Sequence, residues 1–161
     1  MNVVLTDMEI SQLVSEKKIL PINFKERVRL GRAKRGHREC DIDIKGENGG
    51  NYRLILRQNV RNTLDFSVIL GYQLPNSNRL FRLRRYNGKH GHTNFVENDK
   101  LYDFHVHYAT QRYQEVGSDE DAYAEVSSLY FNMESALQLM IRECNFIPSA
   151  EDHRQTSLDL I

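Results

Sequence analysis

No stretch of this chain approaches the roughly 18 to 20 uninterrupted apolar residues that a membrane helix needs, and the N-terminus MNVVLTDMEISQ lacks the basic flank and apolar run of a secretory leader. A cytoplasmic protein without a membrane partner is the expectation. Cysteine is scarce: Cys40 and Cys144 stand alone, which excludes a disulfide framework or a zinc-knuckle spacing and leaves both as buried free thiols. The chain also lacks a Walker A loop, a G-x-G-x-x-G turn, a G-x-S-x-G elbow and an H-E-x-x-H helix. Those absences remove the usual routes to nucleotide, hydride, serine-ester and zinc-protease chemistry. No internal repeat or low-complexity tract is present.

What is there is the composition of one globular domain: 161 residues, 40% apolar and 27% charged. Residues 1–147 read as a single α+β domain and residues 148–161 as a flexible tail, polar until Leu158, Leu160 and Ile161. The zero net charge hides an asymmetry. Residues 1–92 hold 18 Lys and Arg against 9 Asp and Glu, and residues 93–161 hold 4 against 13. Such a split suits RNA or another polyanion, or an acidic protein partner, for the basic part; the acidic part folding back to neutralise it is the plainer reading.

Periodicity supplies the elements. Thr6 with Glu9 forms a capping-box pattern ahead of Ile10, Leu13 and Val14, a helix that Pro21 ends. The basic stretch KERVRLGRAKRGHR, residues 25–38, fits a short edge strand or an exposed loop, with the edge strand preferred. Period-two alternation then predicts strands over 39–46, 51–60, 64–73, 79–87 and 101–109, with a sixth over Ala122 to Tyr130. Gly46-Glu47-Asn48-Gly49-Gly50 and Pro75-Asn76-Ser77-Asn78 carry turn chemistry, so neighbouring strands should pair as antiparallel hairpins. Asn132 caps an amphipathic helix with Met133, Ala136, Leu137, Met140, Ile141 and Cys144 along one stripe. The expected fold is a mainly antiparallel meander of five to six strands, with the N-terminal and C-terminal helices packed on one face.

If the apolar residues of each strand face the helices, alternation assigns Asp41, Asp43, Arg53, Arg57, Arg82, Arg84, Asp103, His105 and His107 to the opposite face. Converging arginines bind phosphate through planar paired hydrogen bonds, and imidazoles near neutrality can exchange protons with a 2′-hydroxyl and a leaving oxygen. This is the chemistry of a metal-independent ribonuclease, with His105 and His107, and also His90 and His92, as acid–base candidates. Arg53, Arg57, Arg82, Arg84 and Arg112 would hold phosphate, with Tyr113 as a stacking face. Cross-strand Arg and Asp pairs on a solvated sheet face explain the same residues without a ligand.

Four of the six histidines fall within 18 residues, as His90-Gly91-His92 and His105-Val106-His107. Such H-x-H pairs can hold zinc, iron or nickel, with Asp103 or Glu115 as oxygen donor. The spacing to Glu115 departs from the cupin pattern and arginines lie close, so no metal and no cofactor is the favoured expectation. The tail Gln155-Thr156-Ser157-Leu158-Asp159-Leu160-Ile161 looks like a short motif that docks the replication sliding clamp.

The block from Phe81 to Phe146, with LRRYNGKHGHTN, FHVHYATQRYQ, YAEVSSLYF and RECNF, resembles a family of small uncharacterised bacterial proteins with histidine-rich motifs. The resemblance implies only that His90, His92, His105, His107 and Arg112 sit where that family's motif sits. A helix followed by an antiparallel meander also looks like the ribonuclease toxins of bacterial toxin–antitoxin pairs. Two classes of function therefore follow, an RNA-directed nuclease or nucleic-acid-binding domain and a non-enzymatic accessory interaction protein with structural histidines. A histidine-ligated metalloprotein is a third.

Overall fold

In the computed structural model, which describes residues 3–149, the chain runs α1 (Asp7–Ser15), β1 (Lys18–Ile19), α2 (Phe24–Arg27), β2 (His37–Gly46), β3 (Asn51–Asn59), β4 (Phe66–Gln73), β5 (Leu80–Asn87), β6 (His92–Asn94), β7 (Asp99–Leu101), β8 (His105–Tyr108), α3 (Gln111–Glu115), β9 (Tyr123–Val126), α4 (Met133–Glu143) and β10 (Phe146–Ile147). Among the described residues the main sheet has eight strands rather than five or six, in the order β10-β1-β2-β3-β4-β5-β8-β9. Every pairing in it is antiparallel except the parallel one between β1 and β10. β6 and β7 form a separate hairpin.

Local chemistry explains the helices. Thr6 accepts from the Glu9 amide while the Glu9 carboxylate takes the Thr6 amide, closing the capping box that starts α1. Asn132 accepts from the Ser135 amide to start α4, whose Ala136, Leu137, Met140 and Ile141 are buried. This helix is not the last element, since β10 follows it. The two helices pack on one face of the sheet, over Ile42, Ile44, Leu54, Leu56, Val68, Leu70, Leu83 and Tyr86 in a single core. The C-termini of both helices meet at Lys18. Its buried ammonium donates to the carbonyls of Leu13, Val14, Glu16 and Cys144 at 2.8–2.9 Å. It thereby satisfies carbonyls that a helix end leaves without partners.

Several expectations need correcting. Residues 25–38 are not an edge strand: α2 takes the first of them and the rest is irregular up to β2, apart from one bridge between Lys34 and His37. The segment 101–109 is broken, with Leu101 closing β7 and β8 starting at His105. Cys144 is buried, but Cys40 is partly exposed; both are free. The clamp-docking tail, Gln155 to Ile161, lies outside the described residues, as does all of 148–161 beyond Pro148 and Ser149.

A β-bulge decides which side chains reach which face. Leu70 pairs with Arg84 and Gly71 with Arg82, so Leu83 has no partner and β5 carries one extra residue. An extra residue reverses the alternation beyond it. Phe81 and Leu83 point to the helices, and so does Tyr86. Arg84 goes with Tyr86, and Arg85 takes the face that alternation alone would give to Arg84. A Cβ on Gly71, opposite the bulge, would stand 2.4 Å from the Leu80 side chain.

Candidate functional site

On the face away from the helices, strand register lines residues into rows across the sheet. One row runs Glu39, Arg57, Ser67, Asn87, His105, and the next Asp41, Ile55, Ile69, Arg85, His107, Ala124. Exposure falls along both rows. Glu39, Arg57 and Asp41 are exposed, whereas Asn87, His105, His107 and Ala124 are buried. The difference is the β6–β7 hairpin, which folds over the β5, β8 and β9 end of this face.

The hairpin is pinned by side chains. The Asn94 carboxamide donates to Ala124 O at 2.7 Å and accepts from Ala124 N at 2.8 Å. His92 Nε2 donates to Ala122 O at 2.8 Å. Within the hairpin's turn, Glu97 takes the Tyr113 hydroxyl at 2.5 Å and pairs with Arg112, anchoring the hairpin to α3.

Beneath it, four imidazoles meet. Ring centres are 4.9 Å apart for His90 and His105, 4.5 Å for His92 and His107, 5.0 Å for His105 and His107, and 5.7 Å for His92 and His105. His105 donates from Nδ1 to Asp103 O and His107 from Nδ1 to Asp121 O, both at 2.7 Å. Each donation fixes the tautomer and leaves Nε2 as a lone-pair acceptor; both Nε2 atoms are buried without a hydrogen-bond partner. Burial pushes the pKa of His105 down to about 4 and that of His107 to about 2, the second helped by the Arg85 charge. Both rings are neutral at pH 7. His90 lies at the rim, accepting from Asn87 Nδ2 at 3.2 Å and facing Asp65 at 3.4 Å. Its pKa is lowered by burial against the opposing pull of Asp65.

These positions correct the expected catalytic arrangement. His105 and His107 do share a face with arginines, but it is a covered face, and their exposures of 0% and 2% keep both from a substrate phosphate in this conformation. Arg84 leaves the set altogether: the bulge turns it to the helix side, 3.9 Å from Glu143 and over the Tyr108 ring. Its place is taken by Arg85, which pairs with the buried Asp121 at 3.0 Å, while Arg82 reaches the other oxygen at 3.3 Å. Burial raises the Asp121 carboxyl pKa against the pull of both guanidinium groups.

The remaining phosphate candidates are engaged as well. Arg53 pairs with Asp43, Arg57 with Glu39, Arg82 also with Asp119, and Arg112 with Glu97. Sequence reading left Arg85 out of the sheet-face set, noting it only in the run Arg84-Arg85-Tyr86-Asn87-Gly88-Lys89 as a backbone contact, and missed Asn94 and Asp121. The consecutive Arg84-Arg85 and the off-phase Tyr86 were the signal for the first, because they break the alternation. Asn94 and Asp121 gave no local signal, since each acts on a residue 30 or 36 positions away.

A run of cations without ion pairs lies elsewhere. Lys25, Arg27, Arg29, Arg32, Lys34, Arg35 and Arg38 are all exposed, and none is in an ion pair among the described residues. Arg32, Lys34, Arg35, His37 and Arg57 line a concavity of about 590 Å³ in which Glu39 is the one anion. A smaller hollow of about 120 Å³ continues from His37 and Arg57 to Asp65 and Ser67. A tight turn holds this loop, with Arg35 and Gly36 at φ 52° and 82° and reciprocal backbone bonds between Lys34 and His37.

Among the described residues no group of three or more His, Cys, Asp or Glu side chains is set to hold a metal ion, and no helix is long and apolar enough to cross a membrane. The fold and site define an α+β domain with a covered histidine cluster and a basic loop beside an open sheet face. No protein-family model, curated protein or solved structure matches the chain.

Proposed function

We propose that this chain is a nucleic-acid-binding domain that holds the sugar–phosphate backbone of single-stranded RNA along the basic loop of residues 25–38 and the groove beside it. The observation that carries the reading is the contrast in charge pairing. The sheet arginines Arg53, Arg57, Arg82, Arg84 and Arg85 are matched to carboxylates, whereas among the described residues seven exposed cations of one 14-residue segment are matched to none. Unpaired Lys and Arg gain by displacing condensed counterions from a phosphate backbone, and guanidinium groups bind phosphate oxygens in pairs. The concavity is lined by Arg32, Lys34, Arg35, His37 and Arg57, basic side chains that suit a strand tracked by its backbone.

Hydrolysis is not part of this reading. His105 and His107 are covered, neutral, and held by backbone carbonyls. Binding of a fluorescent single-stranded RNA to the full chain, beside a variant carrying Arg32→Ala, Lys34→Ala and Arg35→Ala, tests it. The reading expects affinity to fall at least tenfold in the variant. No binding by the wild type would leave an acidic protein partner as the occupant of the loop.

A further inference from the structure

Arg84 is a charge drawn largely out of water with few bonds in return. Its side chain is 22% exposed, and among the described residues its guanidinium makes one hydrogen bond, a long one of 3.4 Å to the Tyr86 hydroxyl. Glu143 stands 3.9 Å away, an ion pair beyond hydrogen-bond reach, and its Oε1 is occupied by the Tyr86 hydroxyl at 2.7 Å. A guanidinium carries five N–H donors, and a desolvated charge is offset only when its hydrogen bonds are made. Arg84 and Glu143 therefore offer opposite charges with bonding capacity to spare, side by side.

Both line one hollow of about 310 Å³ on the helix side of the sheet. That is at the lower end of the roughly 300–1,000 Å³ of small-molecule sites. The sheet supplies Arg84, with Cζ over the Tyr108 ring at 5.1 Å, a stacking that holds the plane of the guanidinium. α4 supplies Glu143, and α1 supplies Asp7, Ser11 and Ser15. Lys18 binds the carbonyls of Val14 and Cys144 together, which puts Glu143 at the Ser15 end of α1. Asp7 is at the other end of this 9-residue helix, about 12 Å along the axis, and the Gln111 amide takes Oδ1 of its carboxylate. The hollow is thus long, with one cation and two carboxylates in its walls.

We infer that this hollow binds a basic α-amino acid of the lysine or arginine type, with its carboxylate on Arg84, its α-ammonium at Glu143 and its side-chain cation towards Asp7. A ligand with one anionic and two cationic groups neutralises the walls, whereas the two acidic side chains repel a phosphate or a simple carboxylate. A long unbranched side chain suits the second carboxylate standing at the far end. The planar fork of Arg84 takes a carboxylate through paired hydrogen bonds. The inference is independent of RNA binding, because none of these residues lines the basic groove.

Isothermal titration of the full chain with L-lysine and with L-arginine tests it, beside cadaverine and agmatine, which lack the carboxylate, and norleucine, which lacks the side-chain cation. The inference expects one equivalent of lysine or arginine to bind, with an affinity on the order of tenfold or more above that of its decarboxylated counterpart and of norleucine. Arg84→Gln should lose a similar factor for the amino acid, with circular dichroism reporting its fold; the analogue comparison needs no variant. Failure of both amino acids to bind overturns the inference. So does a diamine that binds as tightly as its parent, or an affinity unchanged in Arg84→Gln, because acidic side chains alone would then be attracting cations.

Discussion

The carboxamide of Asn94 forms both backbone hydrogen bonds of Ala124, taking its N–H at 2.8 Å and giving to its carbonyl at 2.7 Å. One side chain thus acts as a strand neighbour to β9, the last strand of the sheet. An edge strand with free amides and carbonyls is a template for pairing with other chains, and here its centre is closed by the hairpin that also covers the histidines. Asn94→Ala removes both bonds at a buried position. We expect a loss of about 2–3 kcal/mol in urea unfolding, together with faster amide exchange at Ala124. A stability within 0.5 kcal/mol of wild type, roughly the scatter of surface substitutions, would contradict this role.

Lys18 gives a pH signature. Burial lowers its pKa to about 8 from an ordinary 10.5, against the pull of Glu16. Between those values the unfolded chain binds the proton and the folded chain does not, so the contribution of Lys18 to stability rises as pH climbs from 8 towards 10.5. Lys18→Met leaves four carbonyls without their donor and is expected to destabilise by several kcal/mol. Its deficit relative to wild type should widen by about 1 kcal/mol per pH unit over that window. Urea melts of both proteins at pH 7, 8, 9 and 10 check this; a constant deficit would show that the ammonium is not perturbed.

The bulge separates two neighbouring arginines by role. Arg84 packs over Tyr108 beside Glu143 on the helix side, whereas Arg85 holds the Asp121 carboxylate. Arg84→Ala should lower stability by about 1–2 kcal/mol through lost packing and charge and leave RNA affinity unchanged. Parallel melting and RNA titration check it. An RNA defect from Arg84→Ala would return this residue to a phosphate-binding surface.

Much of the architecture is legible locally. The caps at Thr6 and Asn132 start α1 and α4, and alternation marks β2, β3, β4 and β5 because each presents apolar residues to one core. What escapes depends on distant partners. β1 and β10 are two residues long and exist through their pairing with each other, across more than 120 positions. His105 and His107 read as a polar face because their burial comes from the hairpin before them. The basic loop reads as a strand because Val28 and Leu30 alternate with cations. That those cations lack carboxylate partners among the described residues is a property of the folded surface, and no spacing in the sequence reveals it.

The salt dependence of RNA binding tests the central claim most directly. For a single strand, the logarithm of the binding constant falls with the logarithm of salt concentration at about 0.7 per phosphate contact. The account expects a clear negative slope for the wild type and a slope shallower by about 2 when Arg32, Lys34 and Arg35 are replaced together by alanine. A wild-type affinity that is indifferent to salt, or a slope unchanged by the triple substitution, would contradict it.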